Sequence, residues 1–276
     1  MPETTHRPGS VGTRRDGHVL SAVEFDVLWE ALGLGPTPVV LQLASPGRTH
    51  TERRRIVAGV WEGLCAHDRA GTGPDVEELL RLLAGAPARV ELRAWGRSTI
   101  RAVTAADFDG VGVLARRRGD DVVLEHCTSV PTAVVGLLPP ASPGPGRAAV
   151  VPASALATRL STAGLRTDLI DHGAAPDEAG TVARMLHGID GRAQVGVLAT
   201  DAWGALRRSP DVLEVLDGPR GRYLVTRSAD GWTTVAPTDV RRLRHRVAEL
   251  LAEAQSRSPC RMSWRPDSVI EPDIEG

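Results

Sequence analysis

The chain contains no lysine: all 33 of its basic residues are arginine. That absence removes the amine required for Schiff-base and pyridoxal phosphate chemistry, and the lysine of a P-loop. Aromatic residues make up only 3% of the sequence, with a single tyrosine, so Ala, Val and Leu must fill most of the core. The three cysteines, Cys65, Cys127 and Cys260, are too dispersed for a CxxC metal site, and their odd number excludes a fully paired disulfide framework. No apolar run approaches the ~20 residues that span a bilayer. The basic residues near the N-terminus are followed by no apolar core, so no signal peptide is expected and the reading is a cytoplasmic protein without membrane insertion. A formal net charge of −1 argues against a generally basic nucleic-acid binder. Arginine in place of lysine, with abundant Ala, Gly and Pro, points to a GC-rich genome rather than to a particular function.

What is present is a well-punctuated run of elements. Residues 1–18 and 256–276 are polar and rich in Pro, Gly, Arg or Ser, and are expected to be flexible tails around a single folded unit, 19–255. Ser21 and Glu24 form a capping box, with Leu20 placed to staple onto Phe25. The following helix puts Phe25, Leu28, Trp29 and Leu32 on one face, and PVVLQLA (38–44) reads as a short strand. Thr49 and Glu52 repeat the capping box ahead of an apolar stripe of Ile56, Val57, Val60, Trp61 and Leu64. Asp75 and Glu78 open a third helix, with Val76, Leu79, Leu80, Leu82 and Leu83. At 88–95 the period changes to two: Val90, Leu92 and Ala94 alternate with Arg89, Glu91, Arg93 and Trp95. Strands are expected at 99–104, 111–117 and 121–127, then a short helix near 131–138.

PPASPGPGR (139–147) is the strongest breaker in the chain. Beyond it the element order recurs: a helix at 178–188, a strand at 193–200, a hairpin at 221–237, and a helix opened by Thr238. RAWG (93–96) and DAWG (201–204) occupy comparable places. The expectation is an α+β fold: a central, mostly antiparallel sheet with flanking helices, in two similar halves, about 19–138 and 148–255, joined by the linker 139–147. Within the hairpin, Asp230-Gly231 suits a two-residue turn. It places Tyr223, Val225 and Arg227 on one face, sets Thr233 and Val235 opposite Leu224 and Thr226, and gives Tyr223 and Trp232 to the core.

The sequence offers little chemistry. His67–Asp68 and Asp171–His172 are neighbours in sequence, and neighbours on a helix do not face each other. His126 and Cys127 are adjacent on a strand and point to opposite faces. Ser154 lacks the G-x-S-x-G elbow, and 144–146 lacks the P-loop pattern. Arg118-Gly119-Asp120 sits where a hairpin needs a turn. The arginines at 53–55, 116–118 and 241–246 are diluted by acidic neighbours and read as solvated faces. No catalytic residue, cofactor or metal site is expected.

Four segments together resemble the EspG proteins of type VII (ESX) secretion: LSAVEFDVLWEALGLGPTPVVL (20–41), SPGRTHTERRR (45–55), GPGRAAVVPASAL (144–156) and GRYLVTRSADGWTTVAP (221–237). Their order spans about residues 19–252. The resemblance implies a cytosolic, non-enzymatic chaperone that holds PE–PPE heterodimers soluble by the tip of the PPE helical bundle and delivers them for export. Relatives can use a long loop between the second and third strands of the sheet, whereas this chain has only Gly96, Arg97 and Ser98 between Trp95 and Thr99. The expected client surface therefore combines the turn Trp95, Gly96, Arg97, Ser98 and Thr99 with the helix carrying Met185 and Leu186. Met and Trp are suited to a partner's apolar surface. The alternatives are a small hydrolase built on an unrecognised His–Asp pair, or a transcriptional regulator with a basic recognition face.

Overall fold

The computed structural model describes residues 17–66, 74–97, 99–106, 111–157, 164–201 and 203–257. The expected tails lie outside these residues, except for a few positions that belong to the first strand and the last helix. The first half runs β1 (His18–Ser21), α1 (Ala22–Ala31), α2 (His50–Ala66), α3 (Pro74–Gly85), β2 (Ala88–Gly96), β3 (Ile100–Ala106), β4 (Gly112–Arg118), β5 (Asp121–Cys127) and α4 (Val130–Val135). The second runs β6 (Ala149–Pro152), α5 (Ala153–Ala157), α6 (Leu165–Asp171), α7 (Pro176–Met185), β7 (Gly191–Thr200), β8 (Leu206–Gly218), β9 (Gly221–Arg227), β10 (Trp232–Pro237) and α8 (Val240–Arg257).

All the strands join one ten-stranded sheet in the order β1-β5-β4-β3-β2-β7-β8-β9-β10-β6. Read outward from the centre, each half has the same topology: a four-stranded meander, then its own first strand returning to the edge. The halves meet where β2 pairs antiparallel with β7, from Ala88↔Ala199 to Gly96↔Gly191. The named strand pairs are all antiparallel, as the short turns require. Paired residues share a face, which fixes three layers. On one face α4 and α8 cover the middle of the sheet through Val90, Leu92, Val195, Val197, Val134, Leu243 and Val247. On the other, α1–α3 cover β3, β4 and β5 with Phe25, Trp29, Leu79 and Leu83. The flank of the second half is covered by α5–α7, with Leu169, Val182 and Met185 over β6 and β8–β10.

Local chemistry explains most element boundaries. The Ser21–Glu24 capping box is complete, and Leu20 and Phe25 are both buried in the same cluster. Thr49 and Glu52 exchange the equivalent bonds. Four expectations are corrected. Residues 38–44 form no strand: Val39–Leu41 is a single 3₁₀ turn, ended by Gln42 at φ 49°. A short apolar run does not by itself distinguish a strand from another buried conformation. The last helix is capped by Asp239, whose Oδ1 accepts the Arg242 amide at 2.7 Å, rather than by Thr238. The β9–β10 loop has four residues, with Ser228 N–H donating to the Trp232 carbonyl. Val235 therefore faces Val225, and Thr234 faces Thr226. Tyr223 is fully buried, but Trp232 is 43% exposed.

The linker is clamped onto β9. Arg222, fully buried, holds Asp217 through Nε and Nη2 at 2.6 and 2.7 Å, and Nη2 also donates to the Pro139 carbonyl at 2.7 Å. Its backbone bonds Ser142 and Gly144. Gly144 lies against the Tyr223 ring so closely that a Cβ there would sit 2.1 Å from Cζ, and the Tyr223 hydroxyl donates to the Pro145 carbonyl. Farther on, Glu178 of α7 pairs with Arg147 and accepts the edge-strand amide of Val150 at 2.9 Å. Arg147 and that amide hold the Glu178 carboxyl below the usual carboxylate range.

Two outcomes follow for urea unfolding. Arg222→Met removes a fully buried guanidinium, leaves the half-buried Asp217 carboxylate unpaired and is expected to cost about 3 kcal/mol, part of it recovered when Asp217→Leu is added. Gly144→Ala is expected to cost about 1–3 kcal/mol by overpacking against Tyr223; an unchanged midpoint would show that the linker is not clamped.

Candidate functional site

The β2–β7 pairing carries the β2–β3 turn to the segment that joins α7 to β7. Gly96 has φ +100°, and a Cβ there would lie 2.1 Å from the Asp190 carbonyl oxygen, so only glycine allows the two backbones to approach this closely. Arg97 Nε donates to Asp190 Oδ2 at 2.7 Å. Gly96, Arg97 and Thr99 are exposed and Trp95 is half-buried; Ser98 lies outside the described residues. The two elements expected to form a surface are thus neighbours. Met185 and Leu186 are nevertheless each only 2% exposed, inside the core of the second half. They belong to the inward stripe of α7 and its C-terminal end, and the solvent-facing residues beside the turn are His187, Gly188 and Asp190.

A second feature extends from this corner. Helices α1–α3 stop at β3, and the α5–α7 group covers the opposite flank. The face of β2 and β7 between them is polar. β2 presents Arg89, Glu91, Arg93 and Trp95, and β7 presents Arg192, Gln194 and Leu198. The pairing registers place Arg101 of β3 and Arg208 and Glu214 of β8 on the same face. Arg192 pairs with Glu214, and Arg208 with the buried Glu91. The guanidinium groups of Arg93 and Arg192 each lie 5.7 Å from the Trp95 ring centroid. Such stacking holds an aromatic ring and two cations in fixed positions. Burial pushes the Arg89 guanidinium down, partly offset by Glu91. Sequence reasoning missed this strip, although the alternation along β2 already separated its residues from the apolar set.

The other polar candidates remain apart. His172 Nδ1 contacts the Asp168 carbonyl at 2.7 Å rather than Asp171. His126 is exposed at the end of β5, beside a half-buried Cys127. Gly119, at φ +64°, makes the β4–β5 turn of the Arg-Gly-Asp tripeptide. His67–Asp68 lies outside the described residues. Arg53 is not a solvated-face residue: it ties α2 to α1 through Asp26, at 2.6 Å, and Glu30. Those pairs occupy the carboxylates of the open cleft beside α1. Among the described residues, no group of three or more His, Cys, Asp or Glu side chains is placed to hold a metal.

Core and surface at this corner separate by stability. Met185→Asp is expected to cost about 3–5 kcal/mol, as an uncompensated buried charge. Arg97→Glu, which breaks an exposed pair, is expected to cost about 1 kcal/mol or less. Equal losses in urea unfolding would contradict this division.

Comparison with known proteins agrees with the architecture. Among solved structures, the type VII secretion system chaperone EspG5 of Mycobacterium tuberculosis, in complex with the PE25-PPE41 dimer, shares this fold with a TM-score of 0.65. The likeness covers 86% of this chain and 96% of that one at 16% sequence identity. No curated protein matches the sequence. The profile of the EspG family matches residues 21–249, from the first capping box into the last helix, and the chain belongs to the EspG family.

Proposed function

We propose that the protein is a type VII secretion chaperone that binds PE/PPE-like clients in the cytoplasm and keeps them soluble until export. The observation that carries this reading is the family match over 21–249, joined to a fold shared with a chaperone solved in complex with a PE–PPE dimer. The physical task suits the molecule. A helical client with an apolar tip aggregates unless that tip is covered, and covering it requires a stable surface rather than a reaction centre. Among the described residues neither His126 nor His172 meets a carboxylate, and the His245–Glu249 contact at 3.1 Å lies on an exposed face of α8, which favours the chaperone over the hydrolase alternative. No helix among the described residues is long and apolar enough to cross a membrane, and a cytoplasmic location follows from the proposed role.

The client surface in this reading is the corner formed by Trp95, Gly96, Arg97 and Thr99 with the segment after α7. It continues onto the β2–β7 strip. Because the β2–β3 turn is short, it cannot reach over a client as a long loop does, so the face of the sheet takes more of the contact. Met185 and Leu186 support this surface from beneath.

Co-expression with PE–PPE pairs from the same genome, followed by affinity capture of the tagged chain, tests the proposal. At least one pair is expected to become soluble and to co-elute stoichiometrically, and Trp95→Asp combined with Arg97→Glu is expected to reduce capture. If no pair is captured or solubilised, the chaperone reading is wrong.

A further inference from the structure

Five arginines and two glutamates share the polar strip: Arg89, Arg93, Arg101, Arg192 and Arg208 with Glu91 and Glu214. The whole chain has a formal charge of −1, so this positive excess is local. Both glutamates are paired, to Arg208 and Arg192, and Arg89 donates to the Ala84 carbonyl. Arg93 and Arg101 remain. They lie directly opposite each other in the β2–β3 register, where like charges repel. Neither has a carboxylate partner among the described residues, and Arg101 Nε is buried without an acceptor. Two cations are thus held side by side at the centre of a sheet, one of them braced against Trp95. An incoming carboxylate would relieve that repulsion and accept bonds from both guanidinium groups, which suit planar anions.

We propose that Arg93 and Arg101 form a seat for an acidic segment of the protein client, laid across β2 and β3 beside Trp95. This rests on the chaperone reading and names the chemistry of the partner at that site. A protein carboxylate fits better than a nucleic acid. Glu91 and Glu214 interrupt any phosphate track along the strip, and Trp95 is already engaged by two guanidinium groups rather than free to stack on a base.

The deciding substitution is Arg93→Glu, with Arg93→Gln and Arg101→Glu beside it. Arg93→Glu turns a repulsive cross-strand pair into an attractive one, so the melting temperature is expected to be unchanged or raised. A role confined to the fold would not predict weaker client binding with stability retained. Against a PE–PPE heterodimer captured by the wild type, each charge reversal is expected to weaken binding about tenfold or more, with a smaller difference at high salt. Wild-type affinity in the variants would overturn the seat and leave the chaperone reading standing. If no heterodimer binds the wild type, the chaperone reading fails, and a fluorescein-labelled Glu-Ala repeat peptide decides the seat separately. Peptide binding that is lost in Arg93→Glu and exceeds binding of an oligothymidylate of matched charge supports it; no binding, or equal binding of the oligonucleotide, overturns it.

Discussion

The pairing of β2 with β7 is the contact on which the rest of the architecture depends. Nine residues of β2 run antiparallel to β7, and the two halves build outward from that seam with the same strand order. Its two faces have different fates. One side of the seam is the deepest part of the core, where Val90, Leu92, Val195 and Val197 lie under α4 and α8. The other side is met only at its β2–β3 margin, by the 3₁₀ turn Val39–Leu41, because each half spends its N-terminal helices on its own outer strands. Two halves of matching strand order, each covered over its outer strands, therefore leave a polar strip at the seam. Whatever residues β2 and β7 carry on that side become the molecule's central surface.

Joining the halves also requires a linker that crosses from α4 to the far edge strand β6. A proline-rich segment satisfies few of its own backbone groups, and buried polar groups left unpaired are costly. Arg222 and Tyr223 meet that need from adjacent positions of β9, one bonding Pro139 and the other Pro145. Gly144 leaves room for the Tyr223 ring. The only tyrosine in the chain is therefore spent on fixing the connection, which is why the 221–237 hairpin is framework. Glu178 completes the path by holding Arg147 and the exposed amide of Val150, and so blunts an edge that would otherwise offer itself for strand addition.

How much of this the sequence disclosed depends on the range of each interaction. Capping boxes at Ser21–Glu24 and Thr49–Glu52 were legible because donor and acceptor lie three residues apart. The period-two pattern of β2 and the recurrence of elements after the linker were legible for the same local reason. The four-residue strands β1 and β6 were not, since only partners far along the chain make them strands. The register of the last hairpin slipped because Asp230-Gly231 signals a turn without showing that Ser228 and Ala229 also belong to it. At the candidate site, the turn after Trp95 was legible as a turn, but Met185 and Leu186, expected at the surface, are buried in the core of the second half. An apolar stripe shows that a helix has a buried face, not which neighbouring layer covers it. The Arg93–Arg101 pair was not legible, since only the sheet register makes the two residues neighbours.

The short β2–β3 turn and the charged strip are best understood together. A long loop between these strands would be able to fold over the open face and present its own side chains. In this chain Gly96 packs on Asp190, Arg97 is tied to the same residue, and the turn ends where the strands end. The described residues of the turn, Gly96, Arg97 and Thr99, are thereby held at the end of the strands, while Arg93 stays exposed. Shortening the loop exchanges an adaptable, entropically costly contact for a rigid one, and rigidity favours charge and shape over plasticity as the source of discrimination. On the proposed client surface, discrimination would then rest on the sheet rather than on a loop, at positions set by the β2–β7 seam itself.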